Sequence, residues 1–109
     1  MKCPPEVKQL LKVLYNLSGS ETQALYFLCE KEARASKIAE SLGKDRSTVQ
    51  RYLSKLRSTG LVQRKSRVED GERGRYYVYS VPDKEEMKDE IQERMKDWEE
   101  EKMEALEQL

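Results

Sequence analysis

Apolar residues recur at helical spacing from the start of the chain, where Val7, Leu10, Leu11, Leu14 and Leu17 follow Pro4 and Pro5. This predicts a helix from the prolines to about Leu17, stopped by Asn16-Leu17-Ser18-Gly19. Ser20 reads as the N-cap of a second helix, Glu21 to about Lys31, with Gln23 three residues on completing a capping box. Ala24, Leu25, Phe27, Leu28 and Cys29 make that helix apolar around much of its circumference, which places it at the centre of the fold. Glu32-Ala33-Arg34 reads as a short connection, suited to a one-bridge strand.

Two helices follow, Ala35 to Leu42 closed by Gly43, and Arg46 to Thr59 capped by Asp45 and stopped at Gly60. A three-residue turn containing Gly between them is the helix-turn-helix signature. Ile38, Ala39 and Leu42 face inward on the first; Val49, Tyr52, Leu53 and Leu56 form an i, i+3, i+4, i+7 stripe on the second. Small Ala39 lets the two cross closely.

Beyond Gly60 the period changes. Leu61 to Val68 and Tyr76 to Val81 are β-rich runs around the Gly-containing loop 69–75, a hairpin that directly follows the helix-turn-helix and so serves as its wing. Of Tyr76, Tyr77 and Tyr79, at least two are expected in the core. Pro82-Asp83 then starts a helix with no breaker as far as Leu109, roughly 40 Å long at 1.5 Å per residue. Met87, Trp98 and Leu109 on it are spaced 11 residues apart, a nearly straight stripe joined by Ile91, Met95 and Leu106. The reading is mainly α with a small β-hairpin: a winged helix-turn-helix domain over 1–82 and a C-terminal helix over 83–109.

Composition removes several function classes. The chain has 109 residues, one domain at most, with 39% charged and 37% hydrophobic residues and no histidine. Folding buries about two-thirds of the surface of so short a chain, which leaves no room for a large enclosed substrate cavity. Without histidine most hydrolase triads and nearly all catalytic zinc sites are excluded. No apolar run reaches the roughly 18 residues of a membrane span, and the N-terminus does not fit a signal peptide, so a cytoplasmic protein is expected. Cys3 and Cys29 match neither a disulfide framework nor a metal pair; Cys29 is expected as a buried thiol and Cys3 as exposed.

A net charge of zero conceals an asymmetry. Residues 1–82 carry 16 Lys+Arg against 9 Asp+Glu, and residues 83–109 carry 5 against 12. A basic body with an acidic tail suits a polyanion partner for the body, although two solvated faces of opposite sign give the same count. The side of the second helix-turn-helix helix opposite its apolar stripe holds Ser47, Thr48, Gln50, Arg51, Ser54, Lys55 and Ser58, with no acid among them. Hydroxyls, amide and cations on one face suit phosphate and base-edge contacts, the alternative being a solvent face that lacks acids by chance. Arg51 and Gln50 are the expected base readers, with guanine and adenine their usual respective partners. Arg46, Ser47, Thr48 and Lys55 are the expected phosphate contacts. In the wing, Arg64, Arg73 and Arg75 are the cations placed for flanking phosphates or a minor groove, opposed by Glu69, Asp70 and Glu72.

Residues Ser36 to Gly43, Asp45 to Leu53, Leu56, Gly60-Leu61-Val62 and Gly74-Arg75-Tyr76-Tyr77 together resemble the winged helix-turn-helix domain of archaeal TrmB-like transcriptional regulators, and more distantly the MarR and ArsR groups. Lys2 to Pro5, the turn Leu17 to Thr22 and Lys96-Asp97-Trp98 are similar to small stand-alone archaeal members. The resemblance implies a dimeric regulator whose helix Arg46 to Thr59 enters the major groove. With nothing after the tail helix, no sugar-binding effector domain is expected. The Cys/His sets of metal-sensing ArsR-like repressors are absent from the sequence, so no metal or other cofactor is expected.

Trp98 among so many acids calls for a covering surface. An isologous homodimer through Leu10, Leu14, Ile91, Met95, Trp98 and Leu106 is the economical one, the alternative being that the stripe covers only the chain's own core. Two-fold symmetry would set two recognition helices roughly 34 Å apart on double-stranded DNA, over an inverted repeat. Two other classes stay open: a winged-helix protein-interaction module, and an enzyme or redox switch, against which the ungrouped cysteines argue.

Overall fold

The computed structural model describes residues 4–68 and 74–109. Helix α1 (Pro5–Tyr15) starts on proline and ends where Asn16 turns left-handed, φ 58°, a conformation asparagine accepts more readily than most residues. The Asn16 N–H then donates to the Leu11 and Lys12 carbonyls. Helix α2 (Gly19–Glu30) follows after Leu17, which is buried.

The capping box of α2 belongs to Ser18 and Glu21 rather than to Ser20 and Gln23. The Glu21 N–H donates to Ser18 Oγ at 3.2 Å, and the Ser18 N–H donates to Glu21 Oε1 at 2.8 Å. Both serine spacings satisfy the motif. Ser18 wins because the chain leaves Asn16 extended, and Gly19 and Ser20 already belong to the first turn.

Helix α3 (Ala35–Leu42) closes at Gly43 with φ 65°, and helix α4 (Arg46–Ser58) opens at Asp45, whose carboxylate accepts the Thr48 N–H at 3.3 Å. A left-handed residue between helices favours glycine, so the helix-turn-helix bend is written into that one position. Strands β1 (Gln63–Arg67) and β2 (Tyr76–Ser80) pair antiparallel, with Arg64 opposite Tyr79 and Ser66 opposite Tyr77. Ala33 adds the single bridge expected of its connection: its N–H donates to the Tyr79 carbonyl at 3.0 Å, and the Tyr79 N–H donates back at 2.8 Å.

Helix α2 packs against α1, α3, α4 and β2 and is the centre of the core. Leu25 and Leu28 from it meet Leu11, Ile38, Val49, Leu53, Leu56 and Leu61, all at most 2% exposed. Cys29, expected in that core, is half-buried, because Ala24, Leu25 and Leu28 take the inner side of the helix. Of the three wing tyrosines only Tyr79 joins the core; Tyr76 is half-buried and Tyr77 is 45% exposed. The expectation of two buried tyrosines fails because Tyr76 covers Arg34 and Tyr77 covers Arg64, each ring taking a guanidinium instead of a helix.

Helix α5 (Lys84–Glu107) is capped by Asp83, which accepts the Glu86 N–H at 2.9 Å. Its first half lies on the body. Met87 and Ile91 pack against the core, and Arg94 Nε donates to the Leu14 carbonyl at 3.4 Å. Its second half carries Met95, Met103 and Leu106, exposed by 42%, 58% and 60%. No residue of α5 is buried.

Candidate nucleic-acid interface

The polar face of α4 starts at its cap. Ser47 Oγ donates to Asp45 Oδ2 at 2.9 Å, and hydrogen bonds from Thr48 and Ser47 hold the Asp45 carboxyl below the ordinary carboxylate range. Asp45 is thus an anion spent on its own helix terminus, where it offsets the positive end of the dipole. Arg46, Ser47, Arg51 and Ser54 are exposed, while Thr48, Gln50 and Lys55 are half-buried. The α4 segment contains no acidic residue.

Two of these side chains have partners inside the protein. Lys55 Nζ lies 3.2 Å from Glu21 Oε1 and also donates to the Asn16 carbonyl. Burial pushes the Glu21 carboxyl up, but the Ser18 N–H and Lys55 outweigh it and leave it below its ordinary value. The Lys55 ammonium thereby joins the ends of α1 and α2 to the recognition helix. Gln50 Oε1 accepts the Tyr79 hydroxyl proton at 3.3 Å, which ties the middle of the same face to the wing.

The hairpin register puts Arg64, Ser66, Tyr77 and Tyr79 on one side of the sheet, the side that meets α4 through Gln50. On that side the Arg64 guanidinium stacks 3.9 Å from the Tyr77 ring centroid, and Arg75 Nη1 donates to Ser66 Oγ at 3.5 Å. On the other side Arg67 pairs with Glu32 at 3.2 Å and Arg34 lies 4.1 Å from the Tyr76 ring centroid, which fastens the wing to the α2–α3 connection. Arg64 and Arg75 therefore continue the cationic α4 face, whereas Arg67 is occupied by an acid. Arg73, with Glu69, Asp70 and Glu72, lies outside the described residues, as does Cys3.

The residues expected at a subunit contact divide into two groups. Leu14 is buried, and Leu10 and Ile91 are half-buried in the α1–α5 region of the same chain. Met95 and Leu106 stand exposed, and Trp98 is half-buried with Lys102 Nζ 5.9 Å from its ring centroid. Met103, which the sequence reading passed over, joins Leu106 on the exposed part; its step of eight from Met95 was the available signal. Arg34 and Glu32 were also passed over, and their roles depend on where the hairpin folds back.

No described helix is long and apolar enough to cross a membrane. A protein described as a possible transcriptional regulator from Methanosarcina mazei Go1 superposes with a TM-score of 0.80 at 25% identity, over 94% of this chain and 87% of that one. The ST1889 protein of Sulfolobus tokodaii gives 0.68 at 21% identity, over 86% and 92%, a likeness of fold. Fold similarity extends to MarR-like regulators. In sequence, the uncharacterized protein MJ1503 of Methanocaldococcus jannaschii is 34% identical over 91 residues, 82% of this chain and 67% of the relative. The family described as sugar-specific transcriptional regulator TrmB matches residues 11–85, the whole helix-turn-helix and wing included. This winged-helix chain belongs to the TrmB family of transcriptional regulators.

Proposed function

We propose that the chain binds double-stranded DNA sequence-specifically as a homodimer, with α4 in the major groove and the wing on flanking backbone or minor groove. The observation that carries this is the acid-free face of α4 running on, through the Gln50–Tyr79 hydrogen bond, into the Arg64 and Arg75 side of the wing. Arg51 and Gln50 read base edges; Arg46, Ser47 and Thr48 position the phosphates. Lys55 contributes charge to that face while its ammonium stays with Glu21. Residues 1–82 supply the DNA-reading unit and 83–109 the dimer contact. The exposed Met95, Met103 and Leu106 support that contact, since a water-facing apolar row on a helix with so many acids is accounted for by a second copy. Regulation is then a matter of site occupancy, in the cytoplasm and without catalysis.

Selection of binding sites from a random duplex library tests the proposal. The expected product is an inverted repeat whose half-sites lie about one helical turn apart. Recovery of single half-sites alone would remove the dimer from the account, and recovery of no site would remove sequence-specific binding.

A further inference from the structure

We propose that Tyr79 is a positioning residue that sets the base specificity of Gln50, directing it to the acceptor edge of guanine instead of to adenine. The inference rests on the DNA-binding reading above and concerns what α4 reads.

Tyr79 is 2% exposed, and its backbone is held by the two-way bridge to Ala33. Its hydroxyl is therefore a fixed point beside α4. Gln50 is half-buried there, and its Oε1 accepts the hydroxyl proton at 3.3 Å. A carboxamide otherwise offers donor and acceptor interchangeably, because half a turn about its last torsion swaps them. Tyr79 breaks that symmetry. A phenol oxygen gives lone-pair density to its ring and accepts poorly, whereas a carboxamide oxygen accepts well, so the arrangement with the hydroxyl as donor is the favoured one.

Reading adenine needs both halves of the amide, the oxygen for N6–H and the nitrogen for N7. With Oε1 engaged by Tyr79, the Nε2 hydrogens are what Gln50 presents. Guanine offers two acceptors, N7 and O6, to such a donor, and cytosine offers only a donor. The usual partner of glutamine is thereby disfavoured, and the residue responsible lies in the wing core, 29 positions away in sequence.

Site selection with wild type, Gln50→Ala, Tyr79→Phe and the double variant tests this. Gln50→Ala marks the base position concerned, as the one whose preference it erases. Wild type is expected to select guanine there. Tyr79→Phe keeps the ring, removes the hydroxyl and should move the guanine-to-adenine ratio toward adenine about fivefold or more, at that position only. Affinity for random duplex should not change, and in the Gln50→Ala background Tyr79→Phe should alter nothing. Adenine selected by wild type overturns the proposal, and does so even if Tyr79→Phe fails to fold. A Tyr79→Phe preference equal to that of wild type overturns it as well, and so does a loss spread evenly over all positions, which marks a structural role. A wild-type protein that selects no site overturns the DNA reading and this proposal together.

Discussion

The Lys55 ammonium on α4 stands 3.2 Å from the Glu21 carboxylate, which at the same time caps α2 by accepting the Ser18 N–H at 2.8 Å. One carboxylate thus orders a helix start and fixes the recognition helix against it. Glu21 is the more enclosed partner, its side chain 12% exposed against 35% for Lys55, so the pair lies partly out of water.

Removing the charge of Glu21 while keeping its cap separates these tasks. Glutamine satisfies a capping box, so Glu21→Gln should lose only the ion pair, about 1 kcal/mol. Because the folded-state carboxyl lies below its ordinary 4.5, this stability is fully present above that value and is lost as pH falls through the lower, folded one. Urea unfolding across that acid range should show wild type and Glu21→Gln converging on acidification. A constant gap would mean that the charge is not responsible.

Arg51 is exposed in the middle of the α4 face and has no printed competitor for its guanidinium within the protein. Arg51→Ala is expected to weaken the selected site by about 1–3 kcal/mol and to relax preference at one position. Binding titrations on selected and random duplexes decide it. Equal losses on both would assign Arg51 to phosphate.

Arg64 is held over the Tyr77 ring at 3.9 Å, which orders a long side chain before any ligand arrives. Arg64→Ala should weaken binding to all sequences alike and lower the salt slope of log affinity by about one. Tyr77→Leu should reproduce part of the affinity loss and leave the slope in place, because the charge remains. A Tyr77→Leu protein that binds like wild type would show that the stacking has no part in binding.

Met95 and Leu106 lie 42% and 60% exposed on α5, outside the core cluster. Met95→Glu with Leu106→Glu should therefore yield a folded monomer by light scattering, with its melting transition kept and its affinity for the inverted repeat reduced at least tenfold. A dimer of unchanged mass would place the subunit contact elsewhere.

Local chemistry made much of this fold readable from sequence. Gly43, Asp45 and the stripe Val49, Leu53 and Leu56 define the helix-turn-helix within 14 residues, and each does so through its own backbone or periodicity. Ser18 against Ser20 was undecided locally, since both have a capping partner three residues on; the left-handed Asn16 before them settled it. The tyrosines show a different limit. Alternation placed Tyr77 and Tyr79 on one side of the hairpin, but which of them goes under α4 follows from the bridge to Ala33, a contact 46 residues distant. In the same way Leu14 and Ile91 had the spacing of a contact surface and turned out to serve the chain's own core, a distinction that periodicity does not carry. Lys55 looked like a phosphate ligand because its acid partner sits 34 residues earlier, on another helix.

The most direct test of the central claim is fluorescence anisotropy of a labelled duplex titrated with the protein at about 50 and 200 mM salt. The account predicts micromolar or tighter binding at the lower salt and a steep loss, on the order of a hundredfold or more, at the higher, as several phosphate contacts require. No binding at about 50 mM salt would contradict it and would turn the cationic face of α4 and the wing into a docking surface for an acidic protein.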